Sequence, residues 1–141
     1  MISALDRLAG PDKPLAIEPA DVAEVAGLLR SGQKRLADAR IATLSPESRF
    51  DLAYNAAHAL CLAALRRLGY RPRHRYIVFQ ALPHTLGLGP EVWRVLAKAH
   101  DLRNLSEYEG HVDVEARLLV DVLAACEAVA ASLVMHADRT P

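Results

Sequence analysis

Ser45-Pro46-Glu47-Ser48-Arg49-Phe50-Asp51-Leu52-Ala53-Tyr54-Asn55-Ala56-Ala57-His58-Ala59-Leu60-Cys61-Leu62-Ala63-Ala64-Leu65-Arg66-Arg67-Leu68-Gly69 is the stretch that decides the fold. Ser45 is a capping residue, Pro46 suits the first helical position, and Glu47 favours the positive end of a helix. Ala53, Ala56, Leu60, Ala63, Ala64 and Leu68 then recur at helical spacing. Gly69 closes the run as a left-handed cap. Joined by short turns to helices on either side, the stretch predicts one member of an antiparallel helical bundle.

Working toward the N-terminus, Pro19, Asp21 and Glu24 open an earlier helix with an apolar stripe of Val22, Val25, Leu28 or Leu29, Leu36 and Ala39. Gly27 and Gly32 weaken it slightly. Residues 1–19 contain Pro11, Pro14 and Pro19 and no sustained period. They read as an arm with a short turn over residues 3–9.

Toward the C-terminus, a basic turn, Tyr70-Arg71-Pro72-Arg73, leads into a short third helix over residues 74–82, ended by Pro83. Gly89-Pro90-Glu91 opens the fourth helix, with Val92, Val95, Leu96, Ala99 and Leu102 as its apolar face and Gly110 as its stop. Asp113 caps a fifth, carrying Ala116, Leu119, Val120, Leu123, Val129 and Leu133. The expected architecture is all-α: five helices, the four long ones up and down, and no sheet. The domain spans residues 20–137, with a short tail at 138–141.

Composition agrees with one such domain. Of 141 residues, 52 % are hydrophobic and only 5 % aromatic, so helix formers far outnumber strand formers. The 17 basic and 17 acidic residues cancel, so nucleic acid or anionic membrane is not attracted by net charge, and any such contact needs a local patch. Cys61 and Cys126 sit in apolar helical stretches without metal-ligand spacing and read as buried hydrophobes suited to a reducing cytoplasm. No cofactor or metal motif is evident. The N-terminus has charges where a signal peptide has its apolar region, and the uncharged run over residues 128–135 is too short to cross a bilayer. A cytoplasmic protein with no membrane partner is expected.

Chemistry concentrates at the end of the fourth helix. At about 100° per residue, His100, Arg103, Asn104, Glu107 and Tyr108 fall within an arc of roughly 140°. An arginine fork can hold a phosphate and an amide can orient a base or sugar; the same face also reads as a solvated one with an Arg103–Glu107 ion pair. A second feature is Arg66, Arg67, Arg71, Arg73 and Arg75 around the basic turn, with His74 among them. It is either a phosphate-contacting patch or a set of cations complementing a helix C-terminus. His58 lies in a row with Tyr54 and Cys61, as a core histidine or as a residue facing Arg103 across the bundle. Trp93 is a core or interface aromatic.

Arg103-Asn104-Leu105-Ser106-Glu107-Tyr108-Glu109-Gly110 resembles the signature of the HEPN superfamily, in which an arginine and a polar residue precede a histidine on one helix. Tyr54-Asn55-Ala56-Ala57-His58-Ala59-Leu60 is similar to the second helix of many such domains. The resemblance runs over nearly the whole of residues 20–136. It implies a HEPN-like bundle that dimerises through the motif-bearing helices, with the small residues of the second helix permitting close approach. It also implies a protein that handles RNA or nucleotides, as half of a toxin–antitoxin or nucleotidyltransferase pair. Tyr108 stands where active members carry histidine, and His111 follows beyond Gly110. A phenol, with an ordinary pKa near 10, is a poor general base at neutral pH. Binding without strong nuclease activity is therefore expected. The alternatives are a metal-independent ribonuclease using Arg103 with His100, His111 or His58, and a non-catalytic helical dimerisation module.

Overall fold

The computed structural model describes residues 3–110 and 114–137, and only the backbone at residues 107 and 108. The described chain is mostly helical, in the order α1 (Ala4–Arg7), β1 (Leu15–Ile17), α2 (Val22–Ala39), α3 (Pro46–Arg67), β2 (Tyr70–Pro72), α4 (Ile77–Gln80), α5 (Leu82–Thr85), α6 (Pro90–Glu109) and α7 (Ala116–Met135).

The four long helices are those read from the sequence, and local chemistry sets their ends. The Ser45 hydroxyl accepts from the Ser48 amide at 3.1 Å with Pro46 in the first turn of α3. Asp21 caps α2 through the amides of Ala23 and Glu24. Gly110 ends α6 in the left-handed conformation, at φ 79°. Asp113, expected to cap the last helix, lies outside the described residues; Glu115 holds the N-cap position of α7.

α3 is the central helix. Phe50, Tyr54, Leu60 and Leu65 are at most 2 % exposed, and α2, α6 and α7 pack around it. Ala53, Ala56, Ala57, Ala59, Ala63 and Ala64, expected to admit a second subunit's helix, are all buried within the chain. The close approach they permit is internal, chiefly with α2. At Gly32 an added Cβ would meet Leu60 Cδ2 at 2.7 Å and the Ala56 carbonyl oxygen at 3.3 Å, whereas one at Gly27 would meet nothing within 4 Å. Gly32→Ala should therefore destabilise by about 1–2 kcal/mol, overpacking outweighing the propensity gain. Gly27→Ala should stabilise by about 0.5–1 kcal/mol. Urea denaturation of the two variants should show opposite signs; a gain at both sites would rule out the tight contact.

Three expectations need correction. Of residues 1–19, expected as an arm, the described part, residues 3–19, packs on the bundle: Leu15 is fully buried, and Leu5 and Ala9 are nearly so. β1 pairs antiparallel with β2, Leu15 opposite Pro72 and Ile17 opposite Tyr70, so the all-helical expectation without a sheet fails at this two-stranded ribbon. Pro72 is tolerated because each strand of a two-stranded ribbon has a free edge. The expected third helix is two single-turn helices. Pro83 cannot donate to the preceding turn, so it sits in the first turn of a new helix, where no donation is required.

α7 as a whole is 20 residues long with a mean hydropathy of 2.1 in its most apolar window, a length and composition that could cross a membrane. The shorter run over residues 128–135 understated this. Here Leu119, Val122, Val129 and Leu133 of α7 are buried in the bundle core.

Candidate functional site

His100 is the centre of the polar face of α6. It is 9 % exposed, enclosed by Tyr54 from α3 and by Tyr76 and Phe79 from the turn and helix α4. The Tyr76 ring meets it edge-on at 5.4 Å. The Asn104 amide donates to His100 Nε2 at 3.1 Å, one helical turn away. A neutral imidazole has one donor and one acceptor, so Nδ1 carries the proton and donates to the Tyr54 hydroxyl at 2.9 Å. Burial pushes the His100 pKa below its ordinary value; Asp101 opposes this, while Arg75, His74 and Arg103 reinforce it. The ring is thus held neutral with both nitrogens engaged.

Arg103 lies on the same face. Its guanidinium carbon sits 5.3 Å from the Tyr54 ring centroid, and its Nε donates to Asp51 Oδ1 at 3.1 Å. The ion pair therefore links α6 to α3. Arg103 and Ser106 line a cleft of about 550 Å³ together with Leu44, which precedes α3, and Glu47, Ser48 and Asp51 from the start of α3. A cation, two carboxylates and two hydroxyls face this space, enough to grip a polar ligand with a phosphate at Arg103. The side chains of Glu107 and Tyr108, and all of His111, lie outside the described residues.

His58 joins the cluster from α3, packed edge-on against Phe79 at 6.3 Å. Burial, with Arg75 and His100 nearby, pushes its pKa down to about 4. It behaves as a largely buried neutral ring.

The arginine run does not form one patch. Arg66 is 1 % exposed and Arg67 is 8 % exposed, so neither can meet a phosphate at the surface. Arg66 donates to Glu24 and to the Glu18, Pro19 and Tyr70 carbonyls, tying β1, α2 and β2 together. Arg67 points the other way and donates to the Leu133 carbonyl of α7. Arg71 pairs with Glu18 and Glu24 at 2.7 Å. Only Arg73 and Arg75 of the five are exposed, and Arg73 donates to the Gly10 carbonyl at 3.1 Å. The run is largely structural.

Sequence reasoning passed over Asp51, Tyr76 and Phe79. Asp51, Tyr54 and His58 share one face of α3 at i, i+3 and i+7, a polar and aromatic row inside an alanine-rich helix. That row was the available signal. Tyr76 and Phe79 had none, because their contacts with His100 are tertiary. Trp93 is half-buried against the core, with the Arg94 guanidinium 5.4 Å from its ring.

No family model matches the chain, and no curated protein or solved structure matches it.

Proposed function

We propose that this is a HEPN-like protein that binds RNA or a nucleotide in the cleft beside Arg103, without strong nuclease activity. In this reading it works as a cytoplasmic homodimer, as half of a toxin–antitoxin or nucleotidyltransferase pair. The observation that carries the reading is the division of labour between Arg103 and His100. Arg103 stacks on Tyr54, lines the cleft and pairs with an exposed carboxylate, Asp51, that a phosphate can replace. Exposed ion pairs are worth about 0–1 kcal/mol, so the exchange costs little. His100, the histidine on the same face, has both nitrogens bonded within the protein. Cleaving RNA through its 2′-hydroxyl requires a base to take that proton and an acid to protonate the leaving oxygen. A ring already donating to Tyr54 and accepting from Asn104 serves as neither.

The test pairs RNA degradation by the purified protein with binding of fluorescent RNA and nucleotides. Wild type should bind without cleaving, and Arg103→Ala should weaken binding at least about tenfold through loss of the charge-assisted bonds. Cleavage abolished by Arg103→Ala would revive the ribonuclease reading. If wild type binds without cleaving and Arg103→Ala does not bind, Tyr108→His restores the residue usual at that place in HEPN proteins and tests whether chemistry returns. The Arg103–Asp51 ion pair also favours a second reading, a non-catalytic helical interaction module; absence of binding by wild type would select it.

A further inference from the structure

A cavity of about 620 Å³ is lined by residues of α2, α3 and α7 and, among the described residues, shares none with the Arg103 cleft. Val25, Leu29, Leu60 and Leu133 line it, together with Val22 and Val134, which are 85 % and 70 % exposed. Among the described residues of the lining, Arg67 alone is charged, and that charge is closed off. Its Nη1 donates to the Leu133 carbonyl at 3.2 Å, and its Nε and Nη2 are buried. What Arg67 can add to the lining is its methylene stem. Gln33, one helical turn beyond Leu29, is exposed and is the one uncharged polar side chain of the described lining.

We propose that this cavity binds a neutral amphiphile, an alkyl or aryl body carrying one uncharged hydroxyl or amide head group. The body lies against the aliphatic side chains of α2 and α7, and the head group bonds to the Gln33 amide. Three features select that chemistry. The volume lies inside the roughly 300–1,000 Å³ that small-molecule sites occupy, and an apolar lining with few polar groups is their usual composition. Charge of either sign is selected against. An anion entering the cavity sheds its hydration without reaching the enclosed guanidinium, and an ammonium does so near a like charge. An amide holds both a donor and an acceptor, so Gln33 can bond a hydroxyl or an amide in either sense.

Calorimetric titration of the full chain with hexanol, octanol and decanol tests this, with decanoate and decylamine as charged controls. Affinity should climb by up to about fourfold per added methylene. Decanol should bind at least about tenfold more tightly than either charged control. Ala26 lies exposed on the cavity lining, so Ala26→Trp should fill the space and abolish binding while the protein stays folded. Gln33→Leu should weaken decanol by about two- to tenfold and leave the gain per methylene unchanged, because it removes the head-group bond alone. If Ala26→Trp does not fold, the ligand series and Gln33→Leu decide the matter. No decanol binding, a charged control that binds as tightly as decanol, full affinity in Gln33→Leu, or binding that survives Ala26→Trp overturns the proposal. So does a dimer, seen by light scattering, that Ala26→Trp splits while decanol fails to bind; the groove would then be a subunit interface.

Discussion

Arg66→Ala is expected to cost about 3–5 kcal/mol of stability, a large share of the roughly 5–15 kcal/mol that holds a domain of this kind folded. The guanidinium is 1 % exposed, and its contacts tie the segment from Glu18 to Glu24 and the start of β2 to α3. Nε donates to Glu24 of α2 at 2.7 Å, Nη1 to the Glu18 carbonyl at 2.9 Å and the Tyr70 carbonyl at 3.2 Å, and Nη2 to the Pro19 carbonyl at 2.8 Å. Removing it leaves these acceptors without that donor. Lysine should not rescue the loss, because one ammonium cannot reproduce a planar fork aimed at several acceptors. Arg71 provides the contrast. Arg66 also lies 3.2 Å from the Glu18 carboxylate, so the two arginines share Glu18 and Glu24, but the Arg71 side chain is 37 % exposed and Arg71→Ala should cost under about 1 kcal/mol. Similar losses in the two variants under urea denaturation would mean that burial is not what makes Arg66 matter. A second readout follows from Glu24, whose carboxyl is held below its ordinary pKa of 4.5 by Arg66 first and Arg71 second. Stability from that depression is present above the ordinary value and disappears as pH falls through the lower, folded one. Arg66→Ala should shrink this acid-dependent loss.

Arg66 also shows where legibility stops. A helix announces its ends locally, so Ser45-Pro46, Gly89-Pro90 and Gly110 disclose α3 and α6. A three-residue strand announces nothing: β1 exists because Leu15 finds the core and its backbone finds β2, and both are long-range events. The same limit turned the arginine run into an apparent patch. Neighbours in sequence, Arg66 and Arg67 leave α3 toward opposite sides, one to the β-ribbon and one to α7. Gly27 and Gly32 look alike as weak points in α2, and only the position of Leu60 separates them. The candidate site was more readable, since His100, Arg103 and Asn104 share a face by helical period alone. Its partners on α3 were half-visible through Tyr54 and His58. The aromatic wall of Tyr76 and Phe79 had no sequence signal, because a single-turn helix delivers it.

Lowering the pH from neutral to about 4.5 is expected to remove roughly 2 kcal/mol of stability through His58 alone. Its pKa is about 4 in the fold, against an ordinary 6.5. Burial is the main cause, with the positive charge of Arg75 and the neighbouring His100 adding to it. Between those two values the unfolded chain takes up a proton that the folded chain refuses. Stability therefore rises with pH through this window and falls as pH drops from 6.5 toward 4. A full shift corresponds to on the order of 3 kcal/mol, and the part of the ring that solvent reaches reduces it. The window is diagnostic because most carboxylates stay ionised above about pH 4.5. His58→Leu keeps an apolar group against Phe79 and removes the proton site, so its stability should be flatter between pH 6.5 and 4.5, with a residual slope from His100. Arg75→Gln, at an exposed position, should reduce the slope in part by easing the charging of the ring. Urea midpoints measured at several pH values for the three proteins decide the question. A wild-type curve as flat as that of His58→Leu would mean that the ring charges in place without cost. His58 would then sit in a far wetter environment than its packing against Phe79 describes.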